Sequence, residues 1–146
     1  MRNLFIVLMV LICASVSAQL SNQQMRPGQS GHYYTPQGGN NGKAKTVGNT
    51  TYYYDARGCL EKKAVTMGNR TTFYDASGRI IGHSQESGNT TRFYNADGTN
   101  AGSSQQNGNT TRYYDNNGRN NGRSTTNGNT TRYYNSNGTN AGRMVK

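Results

Sequence analysis

The chain repeats itself with an internal period of twenty residues. The copies open at Gly28, Gly48, Gly68, Gly88, Gly108 and Gly128. An asparagine follows the glycine in every copy except the first, which is the least regular. A fixed period of this length is typical of repeated supersecondary units that stack on one another rather than fold around one large core. Residues 28–146 are therefore predicted to form a single repeat domain of about six copies.

Each copy carries two turn signals. The first is a group such as DASG or DNNG, in which Asp or Asn comes first and a glycine such as Gly78 or Gly118 comes last. That order suits a type I turn closed by a left-handed glycine, with Asp75 or Asp115 capping the turn. The second signal is the dipeptide Asn-Gly at 107–108 and 127–128, a strong hairpin signal. The segments between the turns are too short for a helix and rich in Thr, Tyr and Phe, which favour strands.

Side-chain alternation divides each strand into two faces. In TTRYY, Thr111 and Tyr113 point to one side, and Thr110, Arg112 and Tyr114 point to the other. Stacked copies would form one aromatic row from Phe73, Phe93, Tyr113 and Tyr133, and a second on the opposite face from Tyr34, Tyr54, Tyr74, Tyr94, Tyr114 and Tyr134. The predicted fold class is all-β: tandem 20-residue β-hairpin repeats forming a solenoid or an extended meander, with tyrosine ladders in place of an aliphatic core.

The first 27 residues differ from the repeats. Residues 1–18 contain a basic Arg2, an apolar run and small residues before Gln19, the pattern of a secretory signal peptide. Residues 19–27 are predicted to be a polar linker. The expected location is secreted or at the cell surface, either extracellular or periplasmic, with no transmembrane span in the mature chain. Cys59 is the only cysteine after the leader, which leaves no partner for an intramolecular disulfide.

Composition alone would allow disorder. Most aliphatic residues lie in the leader, and 16 Lys and Arg residues against 6 Asp and Glu residues give a net charge of +10. Few aliphatics with high net charge are a signature of disordered chains. The tyrosine rows argue for a fold, because each buried aromatic ring removes on the order of 150–250 Å² from water.

The stretches GNTTYYYDARG, GNRTTFYDASGRIIG and GNTTRFYNADGTNAG resemble the choline- and glucan-binding cell-wall repeats of bacterial surface proteins. YYDARG and FYDASGR are more weakly similar to the YD-type repeats of secreted bacterial proteins. The first resemblance covers most of residues 28–146 and implies stacked hairpins with ligand sites between neighbours. In that family the sites are aromatic cages built largely of tryptophan, and this chain has no Trp.

Arginine replaces those aromatic residues at recurring positions. One position carries Arg92, Arg112 and Arg132, and another carries Arg123 and Arg143. Guanidinium groups would repel choline, whereas they match carboxylate, sulfate and phosphate, and tyrosine faces stack on sugars. The candidate ligand-binding residues are Arg92, Arg112, Arg132, Tyr74, Tyr94, Tyr114, Tyr134, Arg123 and Arg143. The alternative is that these arginines form only a solvated face that keeps a β-rich protein soluble.

Other chemistries find little support in the sequence. His32 and His83 occupy non-equivalent repeat positions, and neither lies in a nucleophile motif. No Cys and His cluster has metal-ligand spacing, so no catalytic residue, metal or cofactor is predicted. Nucleic acid is a disfavoured partner, because an exported chain would meet only extracellular DNA.

Two functions are therefore expected from the sequence. The first is a secreted, non-catalytic repeat protein that binds an anionic polysaccharide or another cell-envelope polymer through a Tyr/Arg face. The alternative is a self-assembling structural subunit of a functional amyloid, matrix or fibre. The last copy favours the alternative, because it has no distinct cap and would leave an open sheet edge.

Overall fold

The computed structural model describes residues 28–146, so the predicted signal peptide and linker lie outside the described residues. The described part is all-β and has twelve strands. The strands are β1 (Gly31–Tyr34), β2 (Asn40–Val47), β3 (Thr50–Tyr54), β4 (Leu60–Met67), β5 (Arg70–Asp75), β6 (Ile80–Ser87), β7 (Thr90–Asn95), β8 (Asn100–Asn107), β9 (Thr110–Tyr114), β10 (Asn120–Asn127), β11 (Thr130–Tyr134) and β12 (Asn140–Val145). Each copy therefore contributes a short strand and a longer one, as the turn signals predict.

The strands form one closed antiparallel barrel in which each strand pairs with its neighbours in sequence. The last strand, β12, returns to the first: Tyr33 pairs with Met144, and Tyr34 pairs with Arg143. The prediction of a solenoid or an extended meander is therefore wrong, although the hairpin pattern is present. The expected open edge after the last copy is also wrong, because β1 covers the edge of β12.

The turns that begin with Asp and end with Gly three residues later (DxxG turns) have the predicted geometry. In the third copy the Gly78 amide donates to the Asp75 carbonyl at 3.1 Å, and Gly78 has a φ of 87°. The carboxylate Oδ1 of Asp75 accepts from the amides of Ser77 and Arg79, both at 2.9 Å. Aspartate is selected here because its short side chain reaches the amides two and four residues later.

The second turn lies one residue later than the Asn-Gly signal implies. Asn107 is the last residue of β8, and the two loop residues are Gly108 and Asn109. Gly108 has a φ of 57°, which the first central position of a primed hairpin turn requires. The dipeptide marked the correct turn but not its register.

A bulge follows the start of each of the six long strands. Asn120 pairs with Tyr114 and Gly122 with Tyr113, which leaves Asn121 as the extra residue. The Asn120 side chain holds the bulge by accepting from the Gly122 amide at 3.1 Å. The φ of Gly122 is 131°, a conformation that L side chains rarely adopt. Bulges of this kind shift the register by an extra residue and bend the strand, which assists closure.

The barrel interior is lined by aromatic rings and small side chains. An inward-facing ring of aromatic residues comes from the short strands: Tyr33, Tyr53, Phe73, Phe93, Tyr113 and Tyr133. Tyr53, Ala64 and Met144 are among the buried core residues. Threonines that are register partners on neighbouring strands form hydrogen bonds, such as that between the hydroxyls of Thr126 and Thr131 at 2.9 Å. Tyrosines and threonines thus fill much of the interior, in place of the Ile, Val and Leu side chains that are most often buried in proteins.

Candidate functional site

The outer face of the barrel carries a ring of tyrosines, which we call the tyrosine belt. It consists of Tyr34, Tyr54, Tyr74, Tyr94, Tyr114 and Tyr134, all partly buried. These residues follow the inner aromatic ring by one position, so strand alternation places them on the opposite face. The two aromatic rows predicted from the sequence therefore lie on opposite faces, and barrel closure turns each row into a ring.

A polar or basic side chain on the neighbouring long strand faces each belt tyrosine. The register partners of the belt are Lys43, Lys63, His83, Ser103, Arg123 and Arg143. Cation-π contacts join most of these pairs. The guanidinium carbon of Arg123 lies 4.9 Å from the ring centre of Tyr134, and that of Arg143 lies 4.9 Å from the ring centre of Tyr34.

The lysine pairs have similar geometry. The ammonium of Lys43 is 5.4 Å from the ring centre of Tyr54, and that of Lys63 is 5.2 Å from the ring centre of Tyr74. At the third long strand the rings of His83 and Tyr94 stack with centres 4.8 Å apart. Burial, reinforced by the positive charge of Arg70, lowers the pKa of His83. At neutral pH this position of the belt is therefore uncharged.

The three arginines of the other predicted row are exposed on the same outer face. Arg112 is the direct register partner of Arg123, and Arg132 is the partner of Arg143. Arg92 is paired with the smaller Ser103 instead. We use the name arginine sector for a group of neighbouring residues on the outer face: Arg112, Arg123, Arg132 and Arg143 with the belt tyrosines Tyr34 and Tyr134. It extends across β9 to β12 and continues onto β1.

The acidic residues do not neutralise this sector. Asp115 accepts from the backbone amides of Asn117 and Arg119 at the turn. Asp55 accepts from the Cys59 amide, which together with Arg57 lowers the pKa of its carboxyl group. Asp55 also forms an ion pair with Arg57 at 3.1 Å, within the same turn. Within the described strands and turns, none of the four paired arginines takes part in an ion pair.

All nine predicted site residues therefore lie on one face, and the arginine sector brings five of them together. Arg112, Arg123, Arg132, Arg143 and Tyr134 belong to it, whereas Tyr74 and Tyr94 lie towards the opposite side of the ring. Tyr34, which belongs to the arginine sector, was not among the predicted site residues; nor were Lys43, Lys63 and His83, which contact belt tyrosines outside the sector. Lys43 and Lys63 occupy the same repeat position as Arg123 in earlier copies, so a comparison of that position across the copies would have found them. Tyr34 was missed as a site residue because only barrel closure places it beside Arg143.

The interior holds one unexpected cation. Lys62 occupies the column that is glycine in the other five long strands, and its side chain is buried. Its ammonium lies 5.3 Å from the ring centre of Tyr53. Burial lowers the pKa of Lys62 to about 8, although Glu61 partly offsets the shift. Burial also raises the pKa of Tyr33, Tyr53 and Tyr133 above the usual range.

Three other features of the described residues bear on possible functions. Residues 28–146 contain no group of three or more His, Cys, Asp or Glu side chains placed to hold a metal ion. The same residues include no helix long and apolar enough to cross a membrane. Cys59 is a free, exposed thiol in the turn between β3 and β4.

Among known proteins, similarity to this chain is found with solved structures. No protein-family model matches the chain, and no curated protein matches it. Among solved structures, it is similar to a chain in the crystal structure of a mutant of S. aureus TarM in complex with fondaparinux, α-GlcNAc-glycerol and UDP. The identity is 10%, the TM-score is 0.26, and the match covers 86% of this chain but only 26% of that one. A likeness at this TM-score carries no argument about function.

Proposed function

We propose that this protein is a secreted, non-catalytic binding protein of the cell surface that holds an anionic glycan through the outer Tyr/Arg face of its barrel. The observation that carries the proposal is the pairing of Arg112 with Arg123 and of Arg132 with Arg143 beside belt tyrosines. Secretion rests on the leader-like residues 1–18 of the sequence.

The paired arginines favour an anionic ligand. Like charges directly opposite each other on neighbouring strands destabilise a sheet. This cost is present twice in the arginine sector, and carboxylates that could relieve it are used to cap turns. A bound carboxylate, sulfate or phosphate would offset the repulsion and accept hydrogen bonds from both guanidinium groups.

The tyrosines favour a sugar polymer over a simple ion. Aromatic side chains at the belt recur once per copy, so successive rings can contact successive parts of an extended ligand. A ring face provides an apolar surface for a sugar, and the phenol hydroxyl can form hydrogen bonds. Nucleic acid would use the same groups, and export makes it the less favoured partner.

The alternative, a self-assembling subunit, has a weaker basis after barrel closure. Addition of subunits through strand edges needs an unpaired strand, and each of the twelve described strands has two neighbours. Assembly would therefore have to proceed through side chains on the barrel surface. A stable monomer in sedimentation velocity, without thioflavin binding, would eliminate this alternative.

Retention of the mature protein on immobilised glycans tests the proposal. We expect retention on uronic or sulfated glycan at low salt, elution as the salt concentration rises, and little retention on neutral glycan. The variant Arg92→Gln/Arg112→Gln/Arg132→Gln should elute at markedly lower salt. Arg79→Gln/Arg119→Gln is a control that removes two turn arginines outside the belt. Absence of retention on every anionic glycan, or retention that ignores salt, would overturn the proposal.

A further inference from the structure

We propose that the ligand of the arginine sector is a linear polysaccharide whose anionic groups recur at about every second sugar, and that two arginine pairs grip successive anionic groups. This inference rests on the proposed function and specifies its ligand. It depends on three properties of the sector: the pairing of the arginines, their stacking on tyrosines and the distance between the pairs.

Each arginine pair can hold one anionic group. Arg112 and Arg123 are direct register partners on β9 and β10, and both are exposed on the outer face. The Cβ atoms of such partners are about 5 Å apart, so two long guanidinium side chains can converge on one carboxylate or sulfate. Arg132 and Arg143 repeat the arrangement on β11 and β12.

In each pair, one arginine is held against a tyrosine ring on the far side from its partner arginine. Arg123 lies against the ring of Tyr134, and Arg143 lies against the ring of Tyr34. A guanidinium group stacked on a ring keeps its N–H groups at the edge available as donors. The stacking also restricts the side chain before the ligand arrives, which lowers the entropy lost on binding. Arg112 and Arg132 are exposed and have no such ring contact among the described residues, so they can reach across the pair and adjust to the ligand.

The spacing of the two pairs selects the period of the ligand. The pairs are two strands apart, and Arg132 faces Thr125 while Tyr134 faces Arg123, a slip of two residues along the strand. Two interstrand distances combined with this slip separate the pairs by about 10–12 Å. An extended pyranose chain advances by about half of that distance per sugar, so two sugar residues connect the two pairs. An anionic group on the intervening sugar would meet no second pair of arginines.

The opposite side of the barrel lacks this arrangement. Lys43 and Lys63 stand beside belt tyrosines there, but their other register neighbours are His32 and Tyr52 rather than arginines. The corresponding neighbour of His83 is Thr72. That half presents single cations, whereas the arginine sector presents pairs. The closest contacts of the polymer are therefore expected on the arginine side of the barrel, while the single cations of the other half add only general attraction to its charge.

Oligosaccharides of increasing length test the inference by titration. We would use hyaluronan oligosaccharides, which carry one carboxylate per disaccharide, from the disaccharide to the decasaccharide. Affinity should rise at least about tenfold when the chain becomes long enough to reach both pairs, because a second charge-assisted contact is gained. Beyond that length, affinity should change little. Oligogalacturonides of equal length, with a carboxylate on every sugar, should bind no more tightly.

Matched double variants test whether the arginine pairs cause the rise in affinity with oligosaccharide length. Arg112→Gln/Arg123→Gln and Arg132→Gln/Arg143→Gln should each abolish the rise in affinity with length. Lys43→Gln/Lys63→Gln removes the same charge from the opposite half and should preserve the rise. All six changed residues are solvent-accessible side chains of strands, and thermal unfolding of each variant checks that the barrel remains intact.

The outcomes separate this inference from the proposed function. If the unmodified protein binds no anionic glycan of any length, the proposed function fails. If it binds but affinity does not step with length, or if the lysine variant loses as much as the arginine variants, diffuse charge attraction is the cause and this inference is overturned. Tighter binding of oligogalacturonides than of hyaluronan oligosaccharides of equal length would overturn the proposed period. Equal binding of polyphosphate of matched length would overturn the assignment to a sugar polymer.

Discussion

The guanidinium group of Arg143 lies 4.9 Å from the ring centre of Tyr34. These residues belong to β12 and β1, so the contact joins the last copy to the first on the outside of the barrel. It has the same form as the contact between Arg123 and Tyr134 inside the array. The seam between the two ends of the domain therefore reproduces the interface between consecutive copies.

An engineered disulfide tests closure at this seam. His32 and Val145 are register partners on β1 and β12. In a Cys59→Ser background, His32→Cys/Val145→Cys should form an intramolecular disulfide under mild oxidation, visible as faster migration without reductant. His32→Cys/Thr125→Cys is the control, since β1 and β10 are not neighbours. If only disulfide-linked dimers formed, the barrel would not be closed in solution.

The glycine at the bulge should be far less replaceable than the glycine at a turn. A Cβ on Gly122 would overlap the carbonyl oxygen of Tyr134, and its φ of 131° is unfavourable for any L side chain. Gly122→Ala should lower the free energy of unfolding by about 2–4 kcal/mol. Gly128→Ala, with a φ of 56° and no neighbouring atom within 4 Å, should lower it by only about 1 kcal/mol. Urea unfolding measures both, and equal losses would contradict the bulge geometry.

Two inner tyrosines should respond differently to loss of the hydroxyl group. The hydroxyl of Tyr113 bonds to that of Ser124 at 3.0 Å, whereas the buried hydroxyl of Tyr53 has no hydrogen-bond partner among the described residues. Tyr113→Phe should therefore lower the free energy of unfolding by about 1 kcal/mol. Tyr53→Phe should leave it unchanged or raise it slightly, because an unpaired buried polar atom is removed. A larger loss for Tyr53→Phe would show that its hydroxyl is satisfied in solution.

Stability should pass through a maximum at alkaline pH. The pKa of Lys62 is about 8 in the folded barrel and 10.5 in its ordinary state, so between these values the unfolded chain binds a proton that the folded chain does not. Stability therefore rises with pH from about 8, by on the order of 3 kcal/mol if this group acted alone. Buried tyrosines have the opposite effect, because the unfolded chain loses their protons first, from about pH 10 upward.

Lys62→Met provides the control for this pH dependence. The substitution removes the buried ammonium group and keeps most of the apolar volume, so the variant should be more stable than the parent at pH 7. Its stability should no longer rise between pH 8 and 10, while the fall above about pH 10 remains. Thermal unfolding across pH 7–11 measures both limbs. If the stability of the variant still rose between pH 8 and 10, a group other than Lys62 would be the cause.

Acidification should strengthen glycan binding if the belt is the binding face. Burial and the charge of Arg70 lower the pKa of His83, so its ring is neutral at pH 7 and becomes cationic only at lower pH. Retention on an anionic glycan should therefore increase as the pH falls below the ordinary histidine range, provided that the ligand remains ionised. A sulfated glycan satisfies that condition.

Single histidine variants assign this effect. His83→Gln should remove most of the pH dependence, and His32→Gln should retain the contribution of His83. His83→Lys should bind at pH 7 as the parent does at acidic pH, because Lys63 shows that a lysine suits the equivalent position. Undiminished pH dependence in His83→Gln would exclude this residue as its source.

Local properties of this fold were readable from the sequence. The twenty-residue period located every copy, and the Asp of each DxxG turn was correctly assigned to backbone capping. Alternation placed Tyr113 and Tyr114 on opposite faces, since that choice depends only on the period of a strand. The recurrence of Arg112 and Arg132 predicted their common face. Each of these inferences uses information within one or two hairpins.

The side chains that face each other on neighbouring strands could not be predicted from the sequence in the same way. The sequence placed Arg92, Arg112 and Arg132 in one row, but each is separated from the next by a long strand, and their direct partners are Ser103, Arg123 and Arg143. Pairing depends on the register shift at each bulge, and the repeat pattern does not specify that shift. The burial of Lys62 was not predicted either. Lys62 is buried because its face of the sheet became the interior when the barrel closed.

The repeat pattern was sufficient to predict the all-β class, the number of hairpins, the turns and the two faces of each strand, because these depend on interactions between residues close in the chain. Closure of the array, in contrast, is visible only in the folded domain. Closure requires the twist and register shift of all six hairpins to add up so that β1 meets β12. That sum is a property of the whole domain. It places Tyr34 beside Arg143, 109 residues later in the sequence, and completes the arginine sector.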